Sequence, residues 1–160
     1  MPLHGSNGTL GPKLFMQLQE TKAAFPKKGY FQTSNLVVVA GSSHIMTAAT
    51  MAIFVEEVLI PAMPPHLVLV LDSWPCFKKH QAILDKVPPG KKLEIKNIPP
   101  GATSPIQPCD IGFFRDFKGI VKKFHNHAVN HHIDTFILHH RDNIIKIVSL
   151  VYRIFSHPHS

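Results

Sequence analysis

The chain alternates short apolar runs with segments in which apolar residues recur at helical spacing. From Lys13 to Glu20, Leu14, Met16 and Leu18 alternate with Phe15 and Gln17, which predicts a strand with one face fully buried. Lys22 to Ser34 is polar and contains Pro26 and Gly29, so it reads as loop, and Leu36 to Ala40 reads as a second, central strand. From Thr47 the period changes: Met51, Phe54, Val55, Val58 and Leu59 share one helical face, Thr47 can cap the start, and Pro61 closes the segment. Pro64 and Pro65 then punctuate the chain before His66 to Leu71, an almost wholly apolar run ending in Asp72. That is the pattern of a buried strand carrying a carboxylate to its C-terminal end.

Phe77 to Lys86 predicts a short helix, Pro88 to Gly90 a turn, and Leu93 to Ile98 another short strand. The following PPGATSPIQPCD is too rich in Pro and Gly for regular structure. From Asp110, the apolar Phe113, Phe114, Phe117, Ile120, Val121 and Phe124 fall on one helical face and Arg115, Lys118, Lys122 and Lys123 on the other. A last helix is predicted from about Asp142 to Phe155, carrying Ile144, Ile145, Ile147, Val148, Val151 and Ile154. Strands alternating with helices imply an α/β domain, in which ligands gather at the carboxyl ends of the strands, and Asp72 stands at such an end. The 160 residues fit one domain, with no internal repeat and no linker between two cores.

Composition changes this picture in three ways. The 44% hydrophobic share, placed in runs, suffices for a folded core. Lys plus Arg number 17 against 10 acids, and a formal charge of +7 attracts polyanions, which makes nucleic acid the leading partner class. Cys76 and Cys109 cannot build a disulfide framework and lack zinc-site spacing, so both read as small buried hydrophobes in a reducing compartment. The first residues lack the apolar stretch of a secretory signal, and the greasiest segments are interrupted by Glu56, Glu57, Pro61, Pro64 and Asp72. The reading is cytosol or nucleus, with no membrane.

Two segments carry candidate chemistry: HLVLVLDSW at 66–74 and IPPGATSPIQPCDIGFFRDFK at 98–118. Each puts an acid at the border between regular structure and a constrained loop. A hydrophobic strand ending in LDSW, followed some three dozen residues later by a PPG-T-S--QP-D-GFFR-FK segment, resembles the surroundings of the second and third catalytic acids of pogo/Tigger-like DDE superfamily endonucleases. GTLGPKLFMQLQE at 8–20, LVVVAGSSHIMT, EEVLIP and RDNIIKIVSLVYRIFS fit the same order. The resemblance spans most of the chain.

It implies a ribonuclease-H-like mixed sheet with flanking helices, in which Asp72 and Asp110 are catalytic and hold Mg²⁺ or Mn²⁺, hard cations suited to carboxylate oxygen. It also implies phosphodiester cleavage by two ions roughly 3.5–4 Å apart, and nuclear localisation. The family's first acid lies on the first, central strand of the sheet, upstream of Met1. Glu20, Glu56 and Glu57 do not replace it, so the chain is expected to be catalytically incomplete and its sheet to lack a strand. No helix-turn-helix segment precedes the domain, which leaves phosphate contacts as the expected mode of DNA binding.

Other readings of the same residues stand beside these. Asp72 also suits a strand-end turn, and Asp110 a helix cap. Arg115, Lys118, Lys122 and Lys123 form either a phosphate-binding face or a solvated one. The histidines at 125, 127, 131, 132, 139 and 140 read as surface imidazoles sooner than as a zinc site, since no Cys or carboxylate completes the spacing. Trp74 can stack on a base or pack as wall. An adopted interaction module, serving DNA, a protein partner or a second copy, is the alternative to an endonuclease. A small hydrolase is set aside for want of a nucleophile elbow or a Cys/His arrangement.

Overall fold

Six-residue strands form where the short apolar runs stand, and they pair two by two. In the computed structural model, which describes residues 1–72, 74–99, 113–131 and 140–157, β1 (Leu14–Gln19) pairs in parallel with β2 (Leu36–Gly41), Leu14 opposite Leu36. β3 (His66–Leu71) pairs in parallel with β4 (Lys92–Asn97), His66 opposite Lys92. The expected α/β class is what forms. The strands make two separate parallel pairs, and among the described residues no mixed sheet joins them.

β1 has no single buried face, contrary to the expectation from its alternation. Its buried residues are the neighbours Leu14 and Phe15, which point to opposite faces. Leu14, Leu36 and Val38 enter one core with Phe113, Ile145 and Tyr152, while Phe15 enters another with Met51, Phe54, Val58 and Leu71. The β1–β2 pair is therefore packed on both faces, and its two clusters are the two sides of one layer.

The helix after β2 starts where the sequence predicts and ends differently. The side chain of Thr47 accepts from the Thr50 backbone while the Thr50 hydroxyl accepts from Thr47 N–H, a reciprocal cap on α1 (Ala48–Phe54). The helical path continues through a π-helical turn, Val55–Leu59, into a last turn, Ile60–Ala62, so Pro61 lies inside the segment it was expected to close. Pro61 offers no N–H, and its ring would crowd the carbonyl four residues back. The wider turn, with Ile60 N–H donating to Val55 O, gives that ring room while Val55, Val58 and Leu59 stay buried.

β3 is not the doubly buried strand that its composition suggests. Leu71 is buried, and Leu67 and Leu69 pack against the core, but Val68 is 49% exposed and Val70 60%. The reason lies in β4: its outward residues are Lys92, Glu94 and Lys96, and Glu94 pairs there with Lys92 (2.9 Å) and His66 (3.2 Å), so the outer face stays wet. The stretch 77–86 forms a short 3₁₀ turn, Pro75–Phe77, and α2 (His80–Leu84) in place of one helix.

α3 (Phe114–Asn130) and α4 (Arg141–Ser156) match the last two predicted helices within the described residues. Phe113 anchors the start of α3 against Phe114, Phe117, Phe155 and Tyr152, with ring centroids 5.2 to 6.2 Å apart. α4 is bonded to the chain before and after β1: Tyr152 OH donates to Gly11 O (2.7 Å), and Arg141 binds Glu20. Between them, buried Ser149 donates from Oγ to Asn35 Oδ1 (2.6 Å) and accepts at its backbone O from Asn35 Nδ2 (2.8 Å). No helix among the described residues is long and apolar enough to cross a membrane.

Ile145 is fully buried and Ile154, on the same helix, is 52% exposed. Ile145→Ala is expected to cost about 2–5 kcal/mol through lost transfer energy and cavity formation, and Ile154→Ala no more than about 0.5 kcal/mol. Urea unfolding of both variants checks the assignment; equal losses would remove α4 from its place over β1.

Candidate functional site

Asp72 follows directly on β3, whose last residue, Leu71, is buried in the core. Asp72 is half-buried, and its Oδ1 accepts from Trp74 N–H (3.1 Å), a side-chain bond that shapes the turn. The next residues carry Trp74, 45% exposed, and Phe77, which is buried. Cys76 is half-buried and packs against the core, close to the expected small hydrophobe. Burial pushes its thiol above the usual range, and the charge of Asp72 adds to that, so it is held in the unreactive protonated form.

Asp72, Trp74 and Phe77 form one wall of an open pocket of about 330 Å³. Phe15 and Gln17 of β1 form another, with Met1, and the loop His44 to Met46 closes a third side. That loop is held by Gln17, whose Nε2 donates to Ser43 O and Ile45 O, both at 2.8 Å. Gly41 makes this possible, since a Cβ there would stand 2.6 Å from Gln17 Nε2 and 2.9 Å from Ser43 O. Sequence reasoning singled out neither Gln17 nor His44; the local signal was the single polar side chain amid the apolar residues of LFMQL.

Of the two acids expected to hold metal, the structure places Asp72 on this pocket, while Asp110 lies outside the described residues. Among the described residues no three His, Cys, Asp or Glu side chains come close enough to hold an ion. One carboxylate with these neighbours does not make a metal centre. Of the histidines, 132 and 139 also lie outside the described residues, as does Cys109. His127 and His131 face each other one helical turn apart, ring centroids 4.2 Å apart.

Arg115, Lys118, Lys122 and Lys123 are exposed on α3, and Arg115 Nε lies 3.2 Å from Asp116 at the surface. α3 belongs to the cluster with Leu14 and Leu36, and the pocket to the cluster with Phe15. The basic helix and the Asp72 pocket thus lie on opposite faces of the β1–β2 pair. Comparison with family models, with curated proteins and with solved structures found no match to this chain.

The best-shielded ion pair lies beside the strand that lines the pocket. Glu20 follows β1 directly; Arg141 grips it with both arms of the guanidinium, Nη2 to Oε2 at 2.8 Å, and also lies 5.8 Å from the Phe25 ring centroid. The hydrogen bond from Arg141 holds the Glu20 carboxyl below its ordinary value of 4.5. A carboxylate with a lowered folded value contributes stability that is complete above the ordinary value and is lost as pH falls through the folded one. Stability is therefore expected to fall by about 1 kcal/mol more, on acidification below 4.5, in the wild type than in Glu20→Gln. Urea midpoints across that range read the difference; parallel curves would show that the pair adds nothing.

Proposed function

We propose that the chain is a transposon-derived DDE-type endonuclease domain of ribonuclease-H-like fold. In this reading it binds DNA in the nucleus, contributes Asp72 and Asp110 to a Mg²⁺ or Mn²⁺ site, and does not cleave by itself. The observation that carries it is the position of Asp72, an acid at the carboxyl end of a parallel strand, opening onto a pocket walled by an aromatic pair. The motif order LDSW, then QP-D-GFFR-FK, supports it from the sequence, as do the charge of +7 and the exposed Arg115, Lys118, Lys122 and Lys123.

A second reading, a non-catalytic module that binds DNA or protein, is favoured by one specific observation. The basic helix faces away from the pocket that Asp72 lines.

Asp72→Asn separates the readings, because an amide oxygen can still accept from Trp74 N–H but carries no negative charge. Calorimetric titration of the whole chain with Mg²⁺, and separately with Mn²⁺, is expected to show binding that this variant abolishes while its unfolding midpoint stays put. Binding absent from the wild type, or unchanged in the variant, would leave the module reading. For DNA, replacing Lys118, Lys122 and Lys123 by Ala is expected to weaken binding irrespective of sequence and to flatten the slope of log K against log salt by about 1 per lysine. Fluorescence anisotropy at several salt concentrations measures it; an unchanged slope would make this a solvated face.

A further inference from the structure

The end of α3 carries His127 and His131, four residues apart, a spacing that sets two side chains one above the other on a single helix face. Helical backbone runs from one to the other, because His131 N–H donates to His127 O (3.1 Å). Both residues are exposed, and their rings stand edge to face, with centroids 4.2 Å apart and planes at 90°. His125 is exposed too, but it lies two residues before His127 and so on a different face.

We infer that His127 and His131 form a two-imidazole clip for a late first-row divalent metal ion, of the class of Ni²⁺, Cu²⁺ and Zn²⁺. Imidazole nitrogen suits these ions, whereas Mg²⁺ and Ca²⁺ take oxygen. Two histidines four apart on one helix face are also the arrangement from which helix-borne metal sites draw two of their ligands. The ring spacing fits. With metal–nitrogen bonds of about 2.1 Å and ring centres roughly 1.1 Å behind the nitrogens, two imidazoles at right angles around one ion have centres about 4.5 Å apart. From the observed 4.2 Å, a small rotation of two exposed side chains reaches that distance. The position along the helix helps as well, because the negative pole of this 17-residue helix favours a cation beside its last turn. Lys123, one turn before His127, works against the ion, and the clip lies beyond it, toward that negative end. A closed zinc site needs four protein ligands, but an exchangeable ion needs only these two, with water in its other positions.

The test titrates the whole chain with Ni²⁺ at neutral pH, following the ring signals of each histidine by NMR and the affinity by calorimetry. Substoichiometric Ni²⁺ is expected to broaden His127 and His131 before His4, His44, His66 or His125. His127→Ala and His131→Ala should each weaken binding at least about tenfold, since the second imidazole of a chelate acts from a high local concentration. His125→Ala should leave the affinity unchanged. Alanine suits a helix, and circular dichroism of the variants checks that α3 is intact. Bound Ni²⁺ should also slow exchange of the His131 amide, whose bond to His127 O closes the turn that the ion bridges. Neither excess Mg²⁺ nor Asp72→Asn should alter Ni²⁺ binding, so the clip and the metal reading of Asp72 stand or fall separately. The inference is overturned if either His127→Ala or His131→Ala keeps the wild-type affinity, or if His125→Ala weakens binding as much as they do. Broadening spread evenly over the histidines, or Ni²⁺ binding lost in Asp72→Asn, would also overturn it.

Discussion

Everything described in this molecule hangs on β1 being packed on both faces. Phe15 feeds the core under α1 and β3, Leu14 the core under α3 and α4, and these neighbours are linked by one peptide bond. A strand in that position cannot shift its register by one residue without exchanging the contents of two cores. Its placement is enforced from outside as well, since α4 is bonded to the chain ahead of β1 through Tyr152 and behind it through Arg141. These contacts span 141 and 121 residues of sequence, which ties the end of the chain to its start.

That arrangement also fixes what the pocket can be. Its walls come from β1, from the turn after β3 and from the loop before α1, three segments brought together only because both strand pairs share the Phe15 cluster. The loop has little structure of its own and is fastened by one amide, Gln17 Nε2, to two carbonyls. The basic side chains, by contrast, sit on a helix whose apolar side is spent on the other cluster. A polyanion engaging Lys118 and Lys122 would therefore have to pass around the edge of the β1–β2 pair to reach Asp72, so charge and pocket are separable in this fold.

Patterns that are local could be read from the sequence. The strands at 14 and 36, the Thr47 cap, and the two last helices with their apolar and basic faces depend on neighbours a few positions apart. What depends on packing could not. Whether Val68 and Val70 face a partner or water is decided by what lies over β3, and the charges of β4 opposite them were the one hint. The π-helical turn reflects Pro61 within a helix that its buried residues keep going, where propensity alone ends it. Glu20 looked like a member of a strand motif, and its role in gripping Arg141 appears only when residues 121 apart meet. The placement of Asp72 at a strand end was legible because a run of apolar residues ending in an acid is a local signal. Its distance from Asp110 is a property of the fold, and Asp110 lies outside the described residues.

Asp72 itself shows why a turn role and a ligand role are not alternatives in chemistry. A carboxylate has two oxygens and about four lone-pair directions, and the bond from Trp74 N–H engages one oxygen while fixing the side chain's direction. The other oxygen is left oriented, which is how ligating carboxylates are held in general. The thiol of Cys76 close by is pushed up, chiefly by its own burial, with the charge of Asp72 acting in the same direction. The cationic residues of α3 lie across the sheet and do not neutralise it. A half-buried carboxylate held in this way can meet a hydrogen-bond donor or a cation, and which of the two it meets is decided by what else converges on it.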